Sequence, residues 1–179
     1  MPSFYTYLIA SLPVLNFGSK VPFSYADFLG RVAKFIPEED FALLEGLPDY
    51  SADNYRGGNP LLEKWFYAEI TLRNELVRIR ASRRHIDPHK YLRPHDGYVS
   101  HWVNRIILAA QRNPSCLEGE KILDELRWQV LEELSLGHFF DLDFLIIYGL
   151  KLLILERWDK ISQANSQRLL AEELTKVSS

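Results

Sequence analysis

Cysteine is almost missing from this chain. Cys116 is the single one among 179 residues, which excludes an internal disulfide and fits a reducing compartment. Long apolar runs are missing as well. The longest, Leu142 to Leu155, covers about 14 residues and contains Lys151, whereas a membrane span takes about 20. The start, MPSFYTYLIASL, lacks the basic stretch that opens a signal peptide. A cytoplasmic protein is therefore expected, peripheral at the inner membrane face only through its partners. Signatures of catalysis are equally scarce. No G-x-S-x-G elbow occurs, no Lys-Ser/Thr follows Gly57-Gly58, and Cys116 has no obvious activating neighbour in sequence. Acidic pairs such as Glu132-Glu133 and Glu172-Glu173 read as solvated helix faces. A non-enzyme without a cofactor is expected. No low-complexity tract or linker divides the chain, so one helical domain over 1–179 is expected.

Charge is present in both signs and unevenly spread. The formal net charge is −3, but residues 1–70 hold 5 basic and 9 acidic side chains, 71–112 hold 9 and 3, and 113–179 hold 7 and 12. The balances are thus −4, +6 and −5. A basic middle either pairs with the acidic flanking helices of its own fold or meets an acidic partner.

The most legible stretch is Asn59 to Arg84, NPLLEKWFYAEITLRNELVRIRASRR, which reads as the longest helix of the chain. Asn59 suits the N-cap and Pro60 the first helical position. Leu61, Leu62, Trp65, Ala68, Leu72, Leu76 and Ile79 recur at spacings of three and four and share a face. Phe66, Ile70 and Val77 make a second face apolar, as in a helix central to a bundle. Asn74, Arg78 and Arg80 then fall between helices, where each needs a partner. Glu69 and Arg73 form an i,i+4 pair in the favourable order.

Around this stretch the chain reads as helices punctuated by turns. Phe4 to Leu12 is read as helical because nothing downstream supplies a partner strand. Ser24 with Asp27 opens a helix as a capping box, and Pro37 starts a short one whose Glu38, Glu39 and Asp40 suit a helix N-terminus. Asp49 to Gly58 is a polar loop, and Pro88 and Pro94 set a second irregular piece. Asp96 caps a helix running through Val99, Trp102, Ile106, Leu108 and Ala109, followed by Leu117 to Leu134, which Gly137 ends. Asp141 caps an apolar helix to about Ile161. A separate last helix, Ser162 to Val177, carries Leu169, Leu170, Leu174 and Val177 inward. The expected fold is all-α, a single-domain bundle of about seven or eight helices.

His85, His89, His95 and His101, with Asp87 and Asp96, invite a metal reading. Pro88 separates His85 from His89, so their spacing is not a helical ligand pair, and no ligand set of known spacing appears. No metal is assigned; these histidines are read as capping helix ends or facing water. A metal-dependent hydrolase built on them is the weakest of three functional readings.

Two stretches resemble the C subunit of bacterial and archaeal V-type ATPases, the counterpart of the eukaryotic d subunit. In RNELVRIRASRRHIDPHKYL the matching positions are Asn74, Leu76, Arg80, Ala81 and Asp87. In FDLDFLIIYGLKLLILERWDKI they are Tyr148, Lys151, Glu156 and Arg157. The opening YTYLIASLPVLNF is similar to that of an uncharacterised bacterial family linked to V-type ATPases. The chain departs from a full C subunit in being much shorter, so a partial or accessory version is expected rather than a complete socket for the rotor ring. The resemblance implies that Asn74, Arg78, Arg80, Tyr148, Glu156 and Arg157 form a structural polar network and that catalysis is absent. It also implies V-type stalk or rotor-ring subunits as partners, met through Arg83, Arg84, Lys90, Arg93 and the loop Asp49 to Gly58. Nucleic acid is not expected as a partner in this reading. The alternative is a stand-alone nucleic-acid or phosphate-binding helical module using the basic stretch 78–93.

Overall fold

In the computed structural model, seven α-helices and one 3₁₀ turn make up the regular structure of the described residues. The structure describes residues 5–51, 54–55, 57–94 and 101–177, without the side chains of 101–105 and 168–177. Among the described residues there is no strand, so the fold is all-α. No described helix is long and apolar enough to cross a membrane. The helices are α1 (Thr6–Ala10), α2 (Tyr25–Val32), α3 (Glu38–Glu45), α4 (Pro60–Arg84), α5 (His101–Arg112), α6 (Cys116–Leu134) and α7 (Leu142–Val177). The 3₁₀ turn, Pro88–Tyr91, lies between α4 and α5. They group into two compact units, one made of Met1–Pro48 with His138–Ser179, the other of Asp49–Gly137.

In the first unit α2 and α3 pack on α7. The capping box at the start of α2 is complete: the Ser24 hydroxyl accepts from the Asp27 amide at 3.1 Å, and Asp27 accepts from the Ser24 amide at 3.1 Å. The Ser24 hydroxyl, which donates to the Asp27 carboxylate at 2.7 Å, and after it the Ser24 amide hold that carboxyl below the usual carboxylate range. Phe28, Val32, Leu44, Leu145, Ile146 and Leu152 are fully buried. Gly149 lets α7 approach its neighbours: an added Cβ would sit 3.2 Å from Leu47 Cδ1 and 3.3 Å from a ring carbon of Tyr25. As expected, Asp141 caps α7, accepting from the Phe144 amide at 3.0 Å.

Helix α7 corrects the sequence reading twice. It runs unbroken for 36 residues, where two helices meeting near Ser162 were expected, and it displaces the 25-residue α4 as the longest helix. No Gly or Pro occurs after Gly149, so nothing forces a break. Serine near the junction is accommodated inside the helix, because the Ser166 hydroxyl donates to the Ser162 carbonyl at 3.0 Å. The inward placement of Leu169, Leu170, Leu174 and Val177 concerns side chains outside those described.

In the second unit α4, α5 and α6 pack on one another. Leu72, Leu76, Ile107, Ala110, Leu123 and Leu126 form its core, with Ile79, Ile106 and Ile122 against it. The α5–α6 crossing is tight at Gly119, where an added Cβ would meet the Ala110 carbonyl oxygen at 2.8 Å. The predicted start of α4 holds: Asn59 Oδ1 accepts from the amides of Leu61 and Leu62 at 2.9 and 3.0 Å. Its end is less ordinary. His85 adopts the left-handed conformation (φ 54°), a place usually taken by glycine. The Ile86 amide then bonds back to the Ala81 carbonyl at 3.1 Å. The expected Asp96 cap lies outside the described residues.

Candidate functional site

The polar residues of α4 divide into a buried set and an exposed set. Asn74 is the buried one, 5% exposed, and its amide satisfies itself on the irregular piece that follows the helix. Its Nδ2 donates to the Arg93 carbonyl at 2.8 Å, and its Oδ1 accepts from the Arg93 amide at 2.9 Å. Both halves of one side chain thus hold both polar groups of one peptide residue, and the turn 85–94 is tied to the middle of α4.

Arg78 and Arg80 are not between helices; both are exposed. Arg78 pairs along its own helix with Glu75. The buried face of α4 passes through Leu76 and Ala81. The buried charge sits elsewhere, at a residue that sequence reasoning missed. Arg127 on α6 donates from Nε to Glu69 at 2.7 Å and from Nη1 to Asp124 at 2.8 Å. Asp124 is 1% exposed. Burial pulls the Arg127 guanidinium down, but Glu69 and Asp124 outweigh it and hold it above its ordinary value. Glu69 is therefore used across helices, not by its i,i+4 neighbour Arg73. The available signal was Asp124 and Arg127 at i,i+3 on the inward face of an amphipathic helix.

Tyr148, Glu156 and Arg157 lie on α7, in the other unit. Tyr148 donates to the Pro13 carbonyl at 3.0 Å, and Glu156 accepts from the Tyr25 amide at 2.6 Å and pairs with Lys160 at 3.5 Å. The Arg157 guanidinium lies 5.9 Å from the Trp158 ring centroid. The six residues expected to form one network are thus shared between the two units.

Of the cations proposed to contact a partner, Arg83, Arg84 and Lys90 are exposed, at the end of α4 and in the 3₁₀ turn. Arg83 is steadied by donating to the Gln111 carbonyl at 2.7 Å. With Arg80, Cys116 and Glu120 it borders a cavity of about 340 Å³. Arg93 is half-buried, its backbone taken by Asn74. Asp87 caps the turn by accepting from the His89 amide at 3.0 Å.

His85 and His89 are both exposed, in a left-handed turn and a 3₁₀ turn, so they share no helix face. His95 and Asp96, and the side chain of His101, lie outside the description. A different trio does converge, and the sequence reading passed over it. Ligand atoms of His138, Asp141 and Asp143 lie within 4.8 Å of one another. His138 Nδ1 is 2.7 Å from Asp141 and 3.5 Å from Asp143. These acids occupy the cap and first turn of α7, where the positive end of the helix dipole already favours them.

Residues 103–177, fewer than half of the chain, match a family described as proteins of unknown function (DUF2764). No curated protein matches, and no solved structure does.

Proposed function

We propose that this chain is a non-catalytic helical subunit or accessory factor of a V-type ATPase or ATP synthase, coupling or spacing the central stalk and the membrane rotor. It would sit peripheral at the cytoplasmic membrane face through those partners. The observation that carries the reading is a charged corner held stiffly: Arg84 and Lys90 exposed, Arg83 steadied on Gln111, and the intervening turn tied to α4 by Asn74. Fixed cations on a rigid corner steer association with an acidic surface and set its register more than they add affinity. Support also comes from the resemblance of 73–92 and 140–161 to the V-type C subunit.

The test is association of the purified chain with V-type stalk and rotor subunits at micromolar concentration. Binding is expected, with the Arg84→Glu, Lys90→Glu variant associating roughly tenfold more slowly at low salt. No association with any of these subunits sinks the reading. The exposure of Arg78, Arg80, Arg83, Arg84 and Lys90 favours one second reading, a nucleic-acid or phosphate-binding module. Labelled RNA retained with a steep salt slope would choose it over the first.

A further inference from the structure

The second unit carries a cavity of about 380 Å³ beside the first turn of α4. Its walls include three aromatic rings, those of Tyr55, Phe66 and Tyr67, together with Glu63 and Ile70. The rings are held in place for structural reasons. Tyr55 and Phe66 pack with centroids 5.1 Å apart, and Tyr50 continues the row 5.3 Å from Tyr55. The Tyr55 hydroxyl accepts from the Asn59 amide at 2.8 Å, which pins the ring to the cap of α4. Tyr67, by contrast, is 53% exposed.

Among the described residues that line the cavity, the one charged side chain is that of Glu63. Glu63 lies close over Gly57, whose absent Cβ would be 3.4 Å from Glu63 Oε1. Gly57 has φ +90°, so a side chain there is disfavoured and the carboxylate keeps its place above bare backbone. Burial raises the Tyr55 phenol, and the nearby Glu63 carboxylate adds to the rise. No described lysine or arginine borders the cavity. Aromatic faces carry negative quadrupole charge and attract organic cations within about 6 Å of the ring. Aromatic rings around one carboxylate are the arrangement that suits an alkylammonium ion and offers nothing to an anion.

We infer that this cavity binds an alkylammonium group, with Tyr55, Phe66 and Tyr67 against its methylene or methyl surface and Glu63 opposing its charge. The group belongs either to a free small amine or to a lysine-type side chain. The experiment is a titration of the full ¹⁵N-labelled chain with tetramethylammonium, at constant ionic strength against sodium chloride, followed by amide shifts. A parallel titration uses the neutral isostere tert-butanol. Saturable shifts confined to residues 55–70 are expected for the cation and not for the alcohol. Glu63→Gln and Tyr67→Leu, both at exposed positions, should each weaken binding about threefold or more while leaving helicity unchanged. A lysine-containing peptide that binds more tightly than free n-butylamine would identify the source as a protein chain, and equal binding a small amine. Absence of saturable shifts, or equal binding of tert-butanol, overturns the inference.

Discussion

Each of the two units has a helical glycine where another element comes close, and the two contacts differ in kind. At Gly149 the neighbours are ends of side chains, Leu47 and Tyr25, at 3.2 and 3.3 Å. At Gly119 the neighbour is a backbone carbonyl, Ala110, at 2.8 Å. The same contrast runs through the polar groups. The first unit satisfies its interior with tyrosine hydroxyls on main-chain carbonyls, Tyr25 on Leu44 at 2.6 Å and Tyr148 on Pro13 at 3.0 Å. The second buries charge, holding Arg127 between Glu69 and Asp124. Neutral hydroxyls need one partner each and tolerate small shifts. A guanidinium held by two carboxylates demands all three groups in place, because each is costly to desolvate alone.

The largest effect expected from this difference is at Asp124. Replacing it by Ala leaves Arg127 with Glu69 alone and should cost about 3 kcal/mol. Urea unfolding would measure it, with faster amide exchange in α4 and α6; a loss below 1 kcal/mol would mean the buried charge is not what holds the second unit. Gly119→Ala comes next, at about 2 kcal/mol, because the carbonyl of a packed helix cannot move aside cheaply. Gly149→Ala should cost less in the same denaturation measurement, since side chains can turn; the reverse order would break the contrast. Tyr25→Phe should cost about 1 kcal/mol, one hydroxyl bond whose acceptor also serves the Leu47 amide.

The smallest effect is on pH dependence. Burial pushes the Tyr148 phenol up to about 12 and the Tyr25 phenol higher still, above the ordinary 10. The folded state therefore keeps a proton that the unfolded chain has released. Stability from this source is complete below pH 10 and is lost as pH rises from 10 towards 12. Alkaline titration of thermal stability should show this decline, and Tyr148→Phe should flatten it. An unchanged slope in that variant would remove Tyr148 from the account.

The candidate site was legible in part, and the divide follows sequence separation. The Ser24 and Asn59 caps and the Pro60 start could be read because each is decided within three or four residues of chain. The arginines on α4 were visible as a patch, but their exposure was not, since a helix with two apolar faces hides equally well either way round. The partners of Glu69 and Asn74 lie 58 and 19 residues away. No local rule chooses them over the nearer Arg73.

Composition and periodicity alone determined that this chain is helical, where the Ser24, Asn59 and Asp141 caps fall, and that its charge gathers in the middle. Those properties come from backbone hydrogen bonds and side-chain spacing within a few turns. Only packing decided that α7 continues past Ser162, that Arg127 rather than Arg78 or Arg80 is the cation paired with the buried Asp124, and that Tyr55, Phe66 and Tyr67 border one cavity with Glu63. Which polar group is desolvated, and by whom, depends on the helix that happens to cover it, and that is settled only when the helices meet.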